Sequence, residues 1–298
     1  MSGLMGFRTW KKTMSDLANN DSKIIKTEMG DVQYTDIGSG PVILHSHGSP
    51  GGCDSGPLAF SGYTKRGFRV VTPSRPGFVK NSLDIGRTAE EQADMFASFI
   101  DRLKIDKVSL LAWSGGGPPA LQFALRHPDR LNSLVLLACA TIRWEHKTTV
   151  FEKMFMTDIG LWILSLISAI IPGSDKAMCN EIGADYNYVK QHPDKLNFFK
   201  RFMCGISPGS LRWPGSLNDI TNYSKMPRYP VEKIKVPTLV VQSPGDRLVK
   251  MENAEFILKN VSNVEYYEYK SGGHVPMIGK ESEEVYDKML RFIIEHNK

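Results

Sequence analysis

Val108-Ser109-Leu110-Leu111-Ala112-Trp113-Ser114-Gly115-Gly116-Gly117-Pro118 decides how this chain is read. An apolar, strand-like run feeds directly into a serine among small residues, and a helix-like run from Ala120 to Arg126 follows at once. Strand, sharp turn carrying Ser, then helix is the context of the Gly-x-Ser-x-Gly pattern. Such a turn forces its serine into a strained backbone conformation, so the residues two positions to either side must lack bulk. Here they are Ala112 and Gly116. Ala in place of the first Gly adds one methyl, the mildest departure available.

Outward from that turn, apolar runs alternate with helical patterns. Strands are expected over 32–37, 42–46, 68–72, 107–113, 134–138, 237–242 and 264–269, and helices over 88–103 and 283–294. Thr88 ahead of Glu91 fits an N-cap with its capping box. Near-continuous apolar strands joined by helices imply an α/β fold, with a mostly parallel sheet covered on both faces. Between 141 and 235 the rhythm breaks, in a region carrying Trp144, Trp162, Trp213 and many prolines. The expected organisation is an N-terminal leader at 1–22, a core at 23–140 and 236–298, and a helical cap inserted at 141–235.

Three further stretches carry chemistry. His47-Gly48-Ser49-Pro50-Gly51-Gly52 ends a strand in a glycine-rich turn, whose amides can approach a ligand closely. No Gly-Lys-Ser/Thr follows, which excludes a phosphate loop. Asp246 stands just beyond the strand at 237–242, on the edge where open α/β sheets place their ligands. His274, in Ser271-Gly272-Gly273-His274, follows the last strand and completes the chain order Ser, Asp, His. A serine hydroxyl needs a base to take its proton, and an imidazole base needs a carboxylate to hold its tautomer.

Together with Pro73-Ser74-Arg75-Pro76-Gly77-Phe78, these motifs resemble the α/β-hydrolase superfamily, and in particular a serine esterase-like member with a helical cap. The resemblance runs from about residue 32 to the end, except the cap. It implies Ser114 as nucleophile, His274 as general base, Asp246 as its orienting partner, and the N–H groups of Ser49 and Gly115 as oxyanion hole. Serine at the turn argues against similarity to haloalkane dehalogenases and epoxide hydrolases, which use a carboxylate there. Proline iminopeptidases usually carry two glycines before the proline, where Ser49 intervenes here. Trp113 replaces the Asn that commonly precedes the nucleophile in meta-cleavage C–C hydrolases. The leading expectation is hydrolysis of a small to medium apolar carboxylic ester. The alternatives are a C–C bond hydrolase or aminopeptidase using the same triad, or a ligand-binding receptor on this fold.

Composition narrows the remainder. The 298 residues are 41% hydrophobic and 23% charged, ordinary for a globular chain. A net charge of +5 is scattered, with no basic stripe for nucleic acid. The four cysteines form no metal-ligand spacing, so neither metal nor cofactor is expected, and idle thiols suit a cytoplasmic location. The leader lacks the apolar run of a signal peptide and reads as an amphipathic segment that packs on the domain or frays. The most apolar stretch, Ile159 to Ile171, is about 13 residues long, against the roughly 20 needed to span a bilayer. It reads as a cap helix walling an acyl pocket, with Trp162 and Leu166, alongside Trp113, as substrate contacts. A monomer or homodimer acting on a small-molecule ester, without stable membrane insertion, completes the expectation.

Overall fold

The apolar runs assemble into one sheet. The structure, a computed structural model, describes residues 5–145, 148–171 and 173–297. Eight strands form among them: β1 (Lys23–Thr27), β2 (Gly30–Gly38), β3 (Val42–Ser46), β4 (Arg69–Pro73), β5 (Val108–Trp113), β6 (Leu131–Leu137), β7 (Thr238–Gln242) and β8 (Val264–Glu268). Their order is β1-β2-β4-β3-β5-β6-β7-β8. β1–β2 and β2–β4 pair antiparallel, and every other pair is parallel. The mostly parallel sheet expected from the sequence is therefore present. β1 was not anticipated, because it is a charged edge strand with a single buried residue.

Twelve α-helices accompany the sheet among the described residues: α1 (Phe7–Asn19), α2 (Ser55–Thr64), α3 (Ala89–Arg102), α4 (Gly117–Arg126), α5 (Val150–Phe155), α6 (Asp158–Ile170), α7 (Ser174–Glu181), α8 (Tyr186–Gln191), α9 (Pro193–Cys204), α10 (Trp213–Tyr223), α11 (Glu252–Asn260) and α12 (Ser282–His296). α3 starts on the expected capping box: Thr88 Oγ1 accepts from Glu91 N, and the Glu91 carboxylate accepts from Thr88 N at 2.9 Å. The central strands bury both faces, and alternation sorts their side chains. Val108, Leu110 and Ala112 join one apolar cluster, while Leu111 and Trp113 join the other.

Helices α5–α10 lie between β6 and β7 in sequence. The apolar stretch expected as a cap helix is α6, but its contacts differ from the expectation. Leu161 and half-buried Trp162 pack on α1, against Trp10 and Met14, and Trp162 Nε1 donates to Met5 O at 2.9 Å. The N-terminal segment thus packs on the domain. Ile159, Ile163, Ile167 and Ile170 face outward, exposed. No single helix among the described residues is long and apolar enough to cross a membrane.

Candidate active site

Parallel pairing brings the carboxyl ends of β3, β5, β7 and β8 to one edge, and each is followed by one of the motif residues. Ser114 follows β5 directly and takes φ +54°, in the left-handed region that non-glycine residues rarely enter. The chain can turn this sharply because nothing bulky intervenes. A Cβ at Gly116 would collide with the carbonyls of Ser46 and His47 at the end of β3. A Cβ on Gly115 would lie 3.3 Å from Ser49 N, so the turns after β3 and β5 are pressed together. The Ser49 N–H donates to no protein acceptor among the described residues.

Asp246 and His274 meet across β7 and β8. Asp246 is buried, and its Oδ1 accepts from Leu248 N at 2.8 Å and Val249 N at 2.9 Å. Its Oδ2 lies 2.8 Å from His274 Nδ1 and 3.2 Å from Gln242 Nε2. A carboxylate only accepts, so this geometry puts a ring proton on Nδ1, and in the neutral ring Nε2 then carries the lone pair. His274 is anchored by its backbone as well: its carbonyl accepts from Trp113 Nε1 at 3.3 Å. No hydrogen bond joins Ser114 Oγ to His274 in this geometry; such contacts are often long until substrate binds.

A cavity of about 640 Å³ opens beside Ser114. Ser49 and Gly115 share its wall with Trp144, Met156, Trp213 and Ile220. No group of three or more metal-ligating side chains exists among the described residues.

A model of the α/β hydrolase fold matches residues 41–281. The chain belongs to the α/β-hydrolase fold family. It is a hydrolase. The uncharacterized hydrolase YcgS of Bacillus subtilis is 26% identical over 275 residues, covering 89% of this chain and 95% of the relative. A 2-hydroxy-6-oxo-6-phenylhexa-2,4-dienoate hydrolase of Burkholderia cepacia is 25% identical, over 82% of this chain and 84% of its own. Among solved structures, an α/β-hydrolase fold protein from Nakamurella multipartita superposes with a TM-score of 0.81 at 26% identity, covering 91% and 98% of the two chains. An esterase from Exiguobacterium antarcticum, at 20% identity and TM-score 0.69 over 91% and 98%, shares the fold.

Two expectations about this hydrolase need correction. Trp113 does not line the cavity: as the last residue of β5 it alternates to the opposite side from Ala112, is buried, and stacks on Phe202 with centroids 5.3 Å apart. Trp162 and Leu166 do not line it either, because α1 occupies the face on which Trp162 lies. Trp144, Met156, Trp213 and Ile220 stand in the wall instead.

The sequence reading passed over a second set of residues. Arg212, Ser216, Asp219 and Tyr223 recur at intervals of four, three and four, a helical period, and all are buried. Each reaches the turns around Ser114. Arg212, just ahead of α10, donates to Gly51 O at 2.7 Å and grips Asp54 through both Nη atoms at 2.8 Å. Ser216 Oγ accepts from Ser49 Oγ at 3.2 Å. Asp219 takes two bonds from Arg75, at 2.6 and 2.9 Å, and Tyr223 OH donates to Gly115 O at 2.5 Å. Burial opposes the charge on Arg75, but Asp219 and Tyr223 more than offset it and raise the guanidinium pKa. Near them, burial and then the Arg75 charge drive His47 well below the ordinary imidazole value, so it stays neutral. Burial likewise lifts the Cys53 thiol to about 12, which leaves it inert at neutral pH.

Proposed function

We propose that this hydrolase cleaves a carboxylic ester of a small to medium apolar substrate through an acyl-enzyme on Ser114. The observation that carries this reading is the opening of Ser114, on its strained turn, into an apolar cavity whose wall also holds Ser49 and Gly115. In the first half-reaction Ser114 Oγ attacks the ester carbonyl and its proton passes to His274 Nε2. The oxygen that becomes negative is met by the N–H groups of Ser49 and Gly115, donors commonly worth about 3 kcal/mol each. Asp246 holds His274 in the productive tautomer and stabilises its imidazolium. Collapse returns the proton to the leaving alcohol. Water then attacks the acyl group, giving its proton to His274, and the acid departs as Ser114 recovers its hydrogen. Helices α5–α10 act as a cap, and their wall residues select the acyl chain.

A second reading has one specific support. Curated relatives of about a quarter identity are named as C–C bond hydrolases of dienoates. The same serine, base and anion donors serve that chemistry.

The test is a panel of p-nitrophenyl esters of increasing acyl length, run beside a 2-hydroxy-6-oxo-dienoate. The ester reading expects a burst of nitrophenol, steady turnover, and covalent labelling of Ser114 by an organophosphonate. Ser114→Ala removes all three. Turnover of the dienoate alone would transfer the assignment to the second reading. Retention of more than about a tenth of ester turnover in Ser114→Ala would place the reaction elsewhere.

A further inference from the structure

The Ser49 N–H belongs to the peptide whose carbonyl is Gly48 O. That carbonyl accepts from His47 Nδ1 at 2.7 Å and lies 3.4 Å from Arg75 Nη2. His47 donates there because its other nitrogen is occupied: Nε2 accepts the Arg75 backbone N–H at 2.8 Å, which leaves the ring proton on Nδ1. Arg75 Nε also holds His47 O, at 2.9 Å. Donors on a carbonyl fix the plane of the amide and polarise its N–H. On the opposite turn, the Gly115 N–H shares its peptide with Ser114 O, which accepts from Ala140 N at 3.0 Å, and Tyr223 OH pins the next carbonyl along, that of Gly115 itself. Both turns are thus held from behind, and both holds lead to α10. Asp219 fixes the fork of Arg75, and Arg75 Nη1 lies 3.4 Å from Tyr223 OH. Gln92 completes the set, accepting from Nη1 at 3.1 Å.

We propose that the buried polar stripe of α10, acting through Arg75 and Tyr223, positions the two oxyanion donors, so that a helix of the inserted segment assembles part of the catalytic centre. This rests on the acyl-enzyme reading. Arg75, Asp219 and Tyr223 are positioning residues: Arg75 and its partners hold the Ser49 amide through its own carbonyl, and Tyr223 holds Gly115 through the peptide that follows its N–H, rather than exchanging protons with substrate. The turn that carries Arg75, Pro73 to Phe78, thereby has a physical role. A cap that merely covered the cavity would need apolar contacts with the core. This one instead spends charged and hydroxyl groups on the carbonyls beside the nucleophile.

The test compares Tyr223→Phe and Arg75→Lys with the wild type on p-nitrophenyl butyrate, and measures inhibition by an alkyl trifluoromethyl ketone. That ketone adds Ser114 Oγ to form a hemiketal, whose oxyanion reports on the donors alone. Tyr223→Phe lowers kcat about tenfold with KM changed less than about twofold, and weakens the ketone by about the same tenfold factor. Arg75→Lys does so more strongly. A role in holding the fold would lower the melting temperature or raise KM without matching losses in kcat and ketone affinity, and that result overturns the proposal. Should Arg75→Lys fail to fold, Tyr223→Phe, which removes one oxygen, decides. A wild-type enzyme that neither labels at Ser114 nor turns over esters brings down the acyl-enzyme reading and this inference together. A wild type that does both, beside an unaffected Tyr223→Phe, brings down the inference alone.

Discussion

Asp246→Asn separates orientation from architecture. The asparagine carbonyl would remain on the side of Leu248 and Val249, whose amides now donate to Oδ1 at 2.8 and 2.9 Å. Its NH₂ would then face His274 Nδ1 and Gln242 Nε2, where Oδ2 now accepts at 2.8 and 3.2 Å. Donor would meet donor twice. Gln242 has a second acceptor in Val249 O at 2.9 Å and stays in place. His274 relieves its own conflict by moving its proton to Nε2, the nitrogen that must accept from Ser114. The fold therefore loses a bond or two, about 1–2 kcal/mol, while the wrong tautomer costs about 10⁴ in kcat, some 5 kcal/mol of barrier. Initial rates on p-nitrophenyl butyrate, with melting curves by circular dichroism, check both halves. An asparagine variant that keeps its melting temperature and more than about a tenth of wild-type kcat would refute the tautomer argument.

Two other outcomes are expected. Trp213→Ala or Ile220→Ala, in the cavity wall, should shift the preferred acyl length, whereas Trp162→Ala and Leu166→Ala should leave it unchanged across the ester panel. A shift in the second pair without one in the first would reverse the wall assignment. Stability should also fall with acid through His45. Its Nδ1 lies 3.0 Å from Leu111 O, its Nε2 has no partner, and burial lowers its pKa to about 4. The folded chain keeps this ring neutral while the unfolded chain protonates near 6.5, so between those values the unfolded state binds more protons. Stability is therefore lost as pH falls from about 6.5 to 4, by roughly 3 kcal/mol in all. His47 contributes with the same sign. Denaturant midpoints at pH 7 and pH 4.5 measure this, and an equal drop in His45→Asn would exclude His45 as a source.

What the sequence made legible follows the strength of each local signal. The central strands are buried on both faces and read as unbroken apolar runs; the expected 42–46 is β3 to the residue. The Ser, Asp and His positions each follow such a strand, so finding the strands located them. β1 was missed because an edge strand with one buried residue leaves no alternation to see. Trp162 was misplaced for a different reason. Its helix is apolar enough to wall a pocket, but α1, from the far end of the chain, lies on that face, and no local pattern encodes such a contact. Trp113 failed on geometry that was available, since strand alternation already sends the residue before Ser114 away from Ala112. The stripe on α10 was readable too. Its period is visible in the order of residues, but polar side chains on a helix ordinarily face water, and only the fold reveals that these face the active-site turns.

The backbone of Ser114 carries a consequence for the history of such a chain. A serine at φ +54° is held about 1 kcal/mol above a relaxed conformation, and glycine would sit there without that penalty. The variant that relaxes the turn is also the one that discards the hydroxyl. On the proposed acyl-enzyme reading, durability and turnover pull in opposite directions along this one coordinate. A screen that rewards heat resistance alone would drift toward a handsome, inert protein, and only a demand for product keeps the strained serine in place.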